Sequence, residues 1–598
     1  MNSSNEIFEK RKSQFQSESK SLKTKSTNIA WFRVAVFVAG LIGIVWFANK
    51  GLIEAVTIVT VALLVAYVTL LKHHNRVKTK LKLYEALAQV NEEELLRATN
   101  QLKALKTGDT FYDAQHPYHE DLDVFGRHSL FQLLNRSATT EGEALLANWL
   151  SNPAGIATVN ERQSAVKELA GLLDFRQYFE AYGKAAEKEA GSKEPFINWL
   201  QEEERLKGKL VYQILLAVVP LSILSTIVLA YMGTVQTGLP ILLCFVSIGI
   251  LGTVFNRIME ITKQTENGYK SLQSLKEHLV LVEQQQFKSQ SLLNLRHQLI
   301  AEERKASKTL SELKFILDSM QNRANFLYAI FDMILLLDVF WLLKILKWKQ
   351  DNRIDITAWY ATIAQFDALN SLAGFAYANP SFAYPELVDQ PFYIETKEMG
   401  HPLIDGKKRV SNDFLFKGKG GICLITGSNM SGKSTFLRTL GVNVILAQIG
   451  APVCANQMKL GPTDVFTSMR TKDELEESVS SFYAELKRLK KLLAYINSEK
   501  PTLFMIDEVL KGTNSEDRHK GAIALVKQLN KAHAFGLVST HDIVLGNLTN
   551  ELQGVKNYSF NSQIVADEII FDYTLTDGIC QSFNATKLMQ KMGIEIPE

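Results

Sequence analysis

Nine residues, Gly427-Ser428-Asn429-Met430-Ser431-Gly432-Lys433-Ser434-Thr435, stand between an apolar run, Gly421-Ile422-Cys423-Leu424-Ile425-Thr426, and the helix-forming Phe436-Leu437-Arg438-Thr439-Leu440. Strand, glycine-rich loop, helix is the order this predicts, and few folds accept it. Glycines at 427 and 432 let the backbone curl its N–H groups into a concave nest, with the positive end of the following helix aimed into it. Phosphate is the anion such a nest holds. Lys433 is then placed to meet the β- and γ-phosphates of a nucleoside triphosphate, and the Ser434 hydroxyl to ligate Mg²⁺.

Two later runs agree with this. Thr502-Leu503-Phe504-Met505-Ile506 reads as a buried strand that ends in Asp507-Glu508. At the carboxyl end of a parallel strand beside a phosphate loop, Asp507 is placed to hold Mg²⁺ through water and Glu508 to polarise an attacking water. Phe535-Gly536-Leu537-Val538-Ser539 leads into Thr540-His541-Asp542, where His541 is expected to face the γ-phosphate. Three strand-end motifs in this order predict an ATP hydrolase using ATP and Mg²⁺.

The motif set resembles the MutS family of DNA mismatch-repair ATPases. The resemblance is carried by Thr426 to Thr435 with Asn429-Met430 inside the loop, by Asp507-Glu508 followed by Lys511-Gly512-Thr513-Asn514, and by Ser539-Thr540-His541. Ser480-Ser481-Phe482-Tyr483-Ala484-Glu485-Leu486 is similar to the family segment whose serine reaches a partner's γ-phosphate. The resemblance therefore implies a homodimer with composite ATP sites, Ser480 acting in trans, and DNA as a ligand. Weaker likeness to the helical core of the family lies in Asp121 to Gly126, in Ser129 to Arg136, and in Leu372-Ala373-Gly374-Phe375-Ala376.

Membrane attachment is read from hydropathy. Apolar stretches run from about Ile29 to Phe47, Leu52 to Leu71, Leu210 to Met232 and Gly238 to Phe255. Each is long enough to span a bilayer, and they pair into two hairpins. Lys and Arg crowd the outer flanks of both, with Lys50 alone in the first connection and no charge in the second; both hairpins therefore have cytoplasmic ends. Asn325 to Leu346 is also apolar but contains Asp332, Asp338 and Lys344, and is expected to be a buried core helix. A formal net charge of +3 gives no strong global attraction to nucleic acid, and the four cysteines show neither metal-ligand spacing nor a disulfide framework.

The expected fold class is α plus α/β: a helical MutS-like core, two transmembrane hairpins, and a C-terminal P-loop, ABC-like ATPase domain. The expected segments are a basic cytoplasmic tail (1–28), the first hairpin (29–71), a helical linker and the start of the core (72–209), the second hairpin (210–256), lever helices with the rest of the core (257–400), and the ATPase domain (401–598). The protein is expected in the cell (inner) membrane, multi-pass, with the ATPase in the cytoplasm. Three departures from the family matter. The Phe-x-Glu wedge that reads mismatches is absent from the sequence, a membrane hairpin stands about where the family has a DNA clamp, and Leu510, Lys511 and Asn514 replace Gly, Arg and Ser. The rival expectation is a mechanochemical ATPase that acts on membrane helices or a protein partner without DNA.

Overall fold

The computed structural model describes residues 3–187, 194–202, 208–301, 304–321, 323, 326–470, 481–496, 501–511, 513–532, 534–565 and 568–581. Ser480 and Gly512, and the flanking charges Arg205 and Lys207, lie outside the described residues. The chain divides into two compact units: Met1–Lys10, Asn91–Arg176 and Ala368–Glu598 form one, and Arg11–Val90 with Gln177–Asp367 form the other.

The second of these units is helical and holds the apolar hairpins. α1 (Ser3–Asn49) and α2 (Ile53–Ala98) are joined by a turn with Gly51 at φ +70°, and α3 (Lys209–Tyr231) precedes α4 (Gly238–Gln284). Among the described residues, four helices are long and apolar enough to cross a membrane, and they cover the four expected stretches except for Leu52 and Met232. Their apolar residues face outward, with Trp31 71% and Ile53 78% exposed. Contiguous apolar surface on this scale marks a surface for contact with another molecule or a membrane. Arg33, near the start of the first apolar stretch, donates from Nη2 to Tyr67 Oη at 3.0 Å.

The helices do not stop where the apolar stretches do. The basic tail is part of α1, and α4 continues well past Phe255, because no Gly or Pro stands at the junctions to end them. Phe15 and Leu87 mark where the tail packs, in a cluster with Ala86, Val90 and Ala181. The expected single buried helix over 325–346 is corrected: it is two helices, α5 (Phe326–Leu335) and α6 (Leu337–Ala378), interrupted by Leu336 at φ +51°. The cause is local. Asp332 Oδ1 accepts the Asp338 N–H at 2.7 Å and so caps α6 from within α5. Phe331 (53%) and Phe340 (38%) remain exposed, so the pair is only partly buried.

In the other unit, ten strands among the described residues form two sheets. β1 (Glu386–Leu387), β2 (Tyr393–Met399), β3 (Asn412–Lys417) and β5 (Gln457–Leu460) make a four-stranded sheet in the order β1-β5-β2-β3. β4 (Ile422–Gly427), β6 (Asp464–Ser468), β7 (Thr502–Asp507), β8 (Ala534–Thr540), β9 (Val555–Val565) and β10 (Glu568–Asp577) make the second, in the order β10-β9-β4-β8-β7-β6. All its pairings are parallel except β9 with β10. β4, β7 and β8 are buried at every position, which explains why they read as continuous apolar runs rather than alternating ones. The helices α7 (Lys433–Ile449), α8 (Ser481–Ile496) and α9 (Ser515–Lys531) follow in chain order. Leu489, Leu492, Val526 and Leu529 from α8 and α9 join Phe504 and Val538 in one core cluster.

Two segments of weaker family likeness meet in this unit. Arg136 binds Glu94 through both oxygens, Nε to Oε1 at 2.6 Å and Nη2 to Oε2 at 2.9 Å, and its backbone N–H donates to Ser371 Oγ at 3.0 Å. Its side chain lies directly over Gly374, where an added Cβ would stand 2.3 Å from Arg136 Cδ. Gly374→Ala is therefore expected to lower the denaturation midpoint of this unit, measured by tryptophan fluorescence in urea, at a cost of about 1–3 kcal/mol for overpacking.

Candidate functional site

Register brings the motifs together. In the parallel ladder Thr426 of β4 pairs with Thr540 of β8, and Ser539 of β8 pairs with Asp507 of β7. The loops that leave the carboxyl ends of these three strands therefore stand side by side, where open α/β sheets place their ligands.

The loop after β4 is built on positive φ angles at Met430 (+64°) and Gly432 (+105°), with Gly432 as the N-cap of α7. Lys433 folds back so that Nζ donates to Gly427 O at 2.8 Å and Ser428 O at 2.9 Å. Burial pushes its ammonium below the usual lysine range, against the opposing pull of Glu508 and Asp507. Ser431 Oγ is buried and has no hydrogen-bond partner among the described residues. Asn429 and Met430 stand at the exposed crest of the loop.

A cavity of about 390 Å³ opens over this loop. Residues 429–435 and Glu508 form one wall, and His401, Val410, Asn412 and Tyr573 contribute to the rest. Asn412 pins Tyr573 from both sides: its Nδ2 donates to Tyr573 O at 3.1 Å and its Oδ1 accepts the Leu575 N–H at 2.7 Å. Tyr573 is thereby held at φ +54°, with Cδ1 3.0 Å from where a Cβ on Gly432 would stand. Gly432→Ala strains both the left-handed backbone and this contact. It is expected to weaken binding of a fluorescent nucleotide by about tenfold or more, equivalent to about 1.4 kcal/mol.

The acidic pair is held as tightly. Asp507 is buried and accepts a hydrogen bond from Ser539 Oγ. Glu508 sits at φ +57°, its N–H donating to Ser539 O at 3.1 Å. His541 Nε2 lies 2.6 Å from Glu508 Oε1, and Lys511 Nζ 3.3 Å from Oε2. The His541 hydrogen bond, together with the Lys511 charge, holds the Glu508 carboxyl down at about 2. An ionised carboxylate accepts only, so His541 carries its proton on Nε2 and donates. His541, expected at a γ-phosphate, is thus placed against Glu508.

Sequence reasoning missed several supports. The Glu485 carboxylate accepts the N–H groups of both Leu510 and Lys511, tying the start of α8 to the loop after the acidic pair. Leu510 adopts φ +57°, which accounts physically for the glycine favoured at that point in the family that this sequence resembles. Glu485 lay inside a recognised segment, whereas Tyr573 and Asn412 gave no motif at all. Ser539 belongs to the Ser539-Thr540-His541 motif, but nothing in the sequence announces its hydrogen bond to Asp507.

Ser434 and Asp507 offer hard oxygen donors, the type that suits Mg²⁺, an ion that keeps several waters or phosphate oxygens of its own. Among the described residues, no group of three or more His, Cys, Asp or Glu is placed to form an all-protein metal cage. The lone Ser431 hydroxyl, the Lys433 ammonium and the glycine cradle fit a polyanion. Cys244, Cys423, Cys454 and Cys580 form no disulfide with one another.

Residues 423–595 match the family model described as MutS domain V. The chain is 32% identical over 256 residues to the DNA mismatch repair protein MutS of Acetivibrio thermocellus, covering 42% of this chain and 29% of that protein. It is 34% identical over 223 residues to the DNA mismatch repair protein MutS of Finegoldia magna, covering 36% of this chain and 26% of that one. Against the DNA mismatch repair protein MutS of Lachnoclostridium phytofermentans, identity is 31% over 272 residues, covering 44% and 28%. The chain thus spans less than a third of the length of the curated relatives that it matches.

Proposed function

We propose, from the premise that this chain belongs to the MutS family by its domain V, that it is a Mg²⁺-dependent ATPase fixed to a membrane by two helical hairpins. The observation that carries the reading is the meeting of Lys433, Asp507 and the Glu508–His541 pair at one end of a parallel sheet.

The chemistry follows from the residues. The loop 427–435 binds the phosphates through backbone N–H groups, and Lys433 exchanges its two carbonyl partners for phosphate oxygens. Ser434, and Asp507 through water, would hold Mg²⁺, whose charge would offset the negative charge of the phosphates. Glu508 remains ionised and orients the attacking water; a carboxyl held near 2 is a weak proton acceptor, so positioning is its larger contribution. His541 keeps Glu508 aimed. Ser480 would complete a partner's site in a homodimer, a role that rests on resemblance alone.

DNA is the macromolecular ligand we propose, because the relatives are DNA mismatch repair proteins by name. Without the Phe-x-Glu wedge, recognition would be of backbone and shape rather than of a mispaired base. The test is the ATPase rate with duplex, mismatched and branched DNA at several salt concentrations. Stimulation that fades as salt rises supports DNA binding; a rate indifferent to every DNA favours a machine that works on membrane helices, the reading that the two apolar hairpins themselves suggest.

The membrane reading has its own test. Thr234→Cys and Lys50→Cys, in a background without the native cysteines, are expected to react with an impermeant thiol reagent only from the non-cytoplasmic side. Labelling from the cytoplasmic side alone would overturn the hairpin topology.

A further inference from the structure

A second cavity, of about 920 Å³, lies in the helical unit along α4 and beside α5, remote in sequence from every motif above. Its volume is that of a site for a sizeable small molecule. Ile248, Leu251, Phe255 and Met259 recur every three or four residues and so line it from one face of α4. All four lie within the apolar span Gly238–Thr265, Met259 nearest its end.

The far end is polar. Arg323 Nη2 pairs with Asp338 Oδ2 at 2.7 Å, Tyr328 Oη donates to Asp338 Oδ1 at 2.9 Å, and Asp332 stands beside them as the cap of α6. Two carboxylates face one guanidinium, leaving one negative charge over. Arg323 Nη1 is buried and has no hydrogen-bond partner among the described residues, although its guanidinium lies over the Phe255 ring at 5.0 Å. A buried donor without an acceptor is costly. Burial also pushes Asp332 up to about 6, as befits a carboxylate short of a counter-cation.

We propose that this cavity binds one membrane phospholipid with an amine-bearing zwitterionic head, its phosphate accepting from Arg323, its ammonium beside Asp332, and an acyl chain along the α4 stripe. The inference rests on the membrane reading given above. A purely anionic head would meet the surplus carboxylate, and a head without phosphate would leave Nη1 unpaired. The bilayer is the source because the apolar wall runs on into a membrane-spanning stretch.

Native mass spectrometry of the detergent-purified full chain, offered equal phosphatidylethanolamine and phosphatidylglycerol in mixed micelles, tests this. One phosphatidylethanolamine per chain is expected to be retained. Gly252→Leu should reduce retention about tenfold, because Gly252 lines the cavity and an added Cβ there meets nothing within 4 Å, so the larger side chain takes up space within the cavity. Arg323→Gln should reduce it as well, and unchanged ATP turnover in Gly252→Leu shows that the variant has folded. Retention equal to that of Gly252→Leu, a preference for phosphatidylglycerol, or equal competition by soluble glycerophosphoethanolamine would each overturn the proposal. If Thr234→Cys labels as expected and the chain needs detergent, yet retains no lipid, the lipid site alone fails; a chain recovered without detergent ends both.

Discussion

Glu508→Gln is expected to lower ATP turnover by about a hundredfold or more, the loss associated with a misplaced reacting group. The substitution removes the charge while keeping the shape. His541 Nε2 at 2.6 Å and Lys511 Nζ at 3.3 Å would then face a neutral amide, and the oxygen that aims the water loses most of its attraction for a proton. Nucleotide binding should change little, because Lys433 and the backbone nest are untouched. The check is paired: phosphate release in steady state, and the dissociation constant of a fluorescent ATP analogue. Turnover that persists near the native rate would remove Glu508 from the chemistry.

The second large effect is structural. Glu94→Gln should cost about 3–5 kcal/mol, the amount associated with stripping one partner from a buried ion pair. Glu94 and Arg136 have side chains only 5% and 3% exposed, and Arg97 Nη1 donates to the same carboxylate at 3.2 Å, so the variant takes this anion from Arg136 and leaves Arg97 the more distant Glu93 carboxylate at 3.6 Å. Burial works against the charge of Glu94, but Arg136 and then Arg97 outweigh it, and its carboxyl titrates below the ordinary range. A depressed folded-state value means that the stabilisation is complete above the unfolded-state pKa of about 4.3. It is lost as pH falls through the folded-state value. Urea denaturation of native and variant protein should therefore differ fully at pH 7 and converge in acid. A difference that stays constant below pH 4 would contradict the assignment.

The site was legible where glycine and buried strands punctuate the chain. Gly427 and Gly432 bracket a loop between a strand and a helix, and Asp507-Glu508 and Thr540-His541 end or follow runs buried at every position, so period and composition sufficed to mark them. The four apolar stretches were equally plain from hydropathy, but their helical extensions were not, since nothing in the sequence stops α1 or α4 where the apolar stretch ends. The break at Leu336 was invisible for the opposite reason: neither Gly nor Pro causes it, and the Asp332 cap depends on a side chain bending back to a backbone six residues on. Long-range pairings were out of reach. Nothing local announces that Tyr573 belongs over Gly432, that Glu94 pairs with Arg136, or that His541 meets Glu508 before it meets any phosphate.

The measurement that bears most directly on the account is phosphate release from ATP by the detergent-purified full chain, with Mg²⁺ and with excess chelator, beside Lys433→Ala. Release that requires Mg²⁺ and disappears in the variant is the predicted result. Release that survives either the chelator or the loss of Lys433, or no release from a folded protein that binds ATP, would contradict the assignment of this site as a Mg²⁺-dependent ATPase.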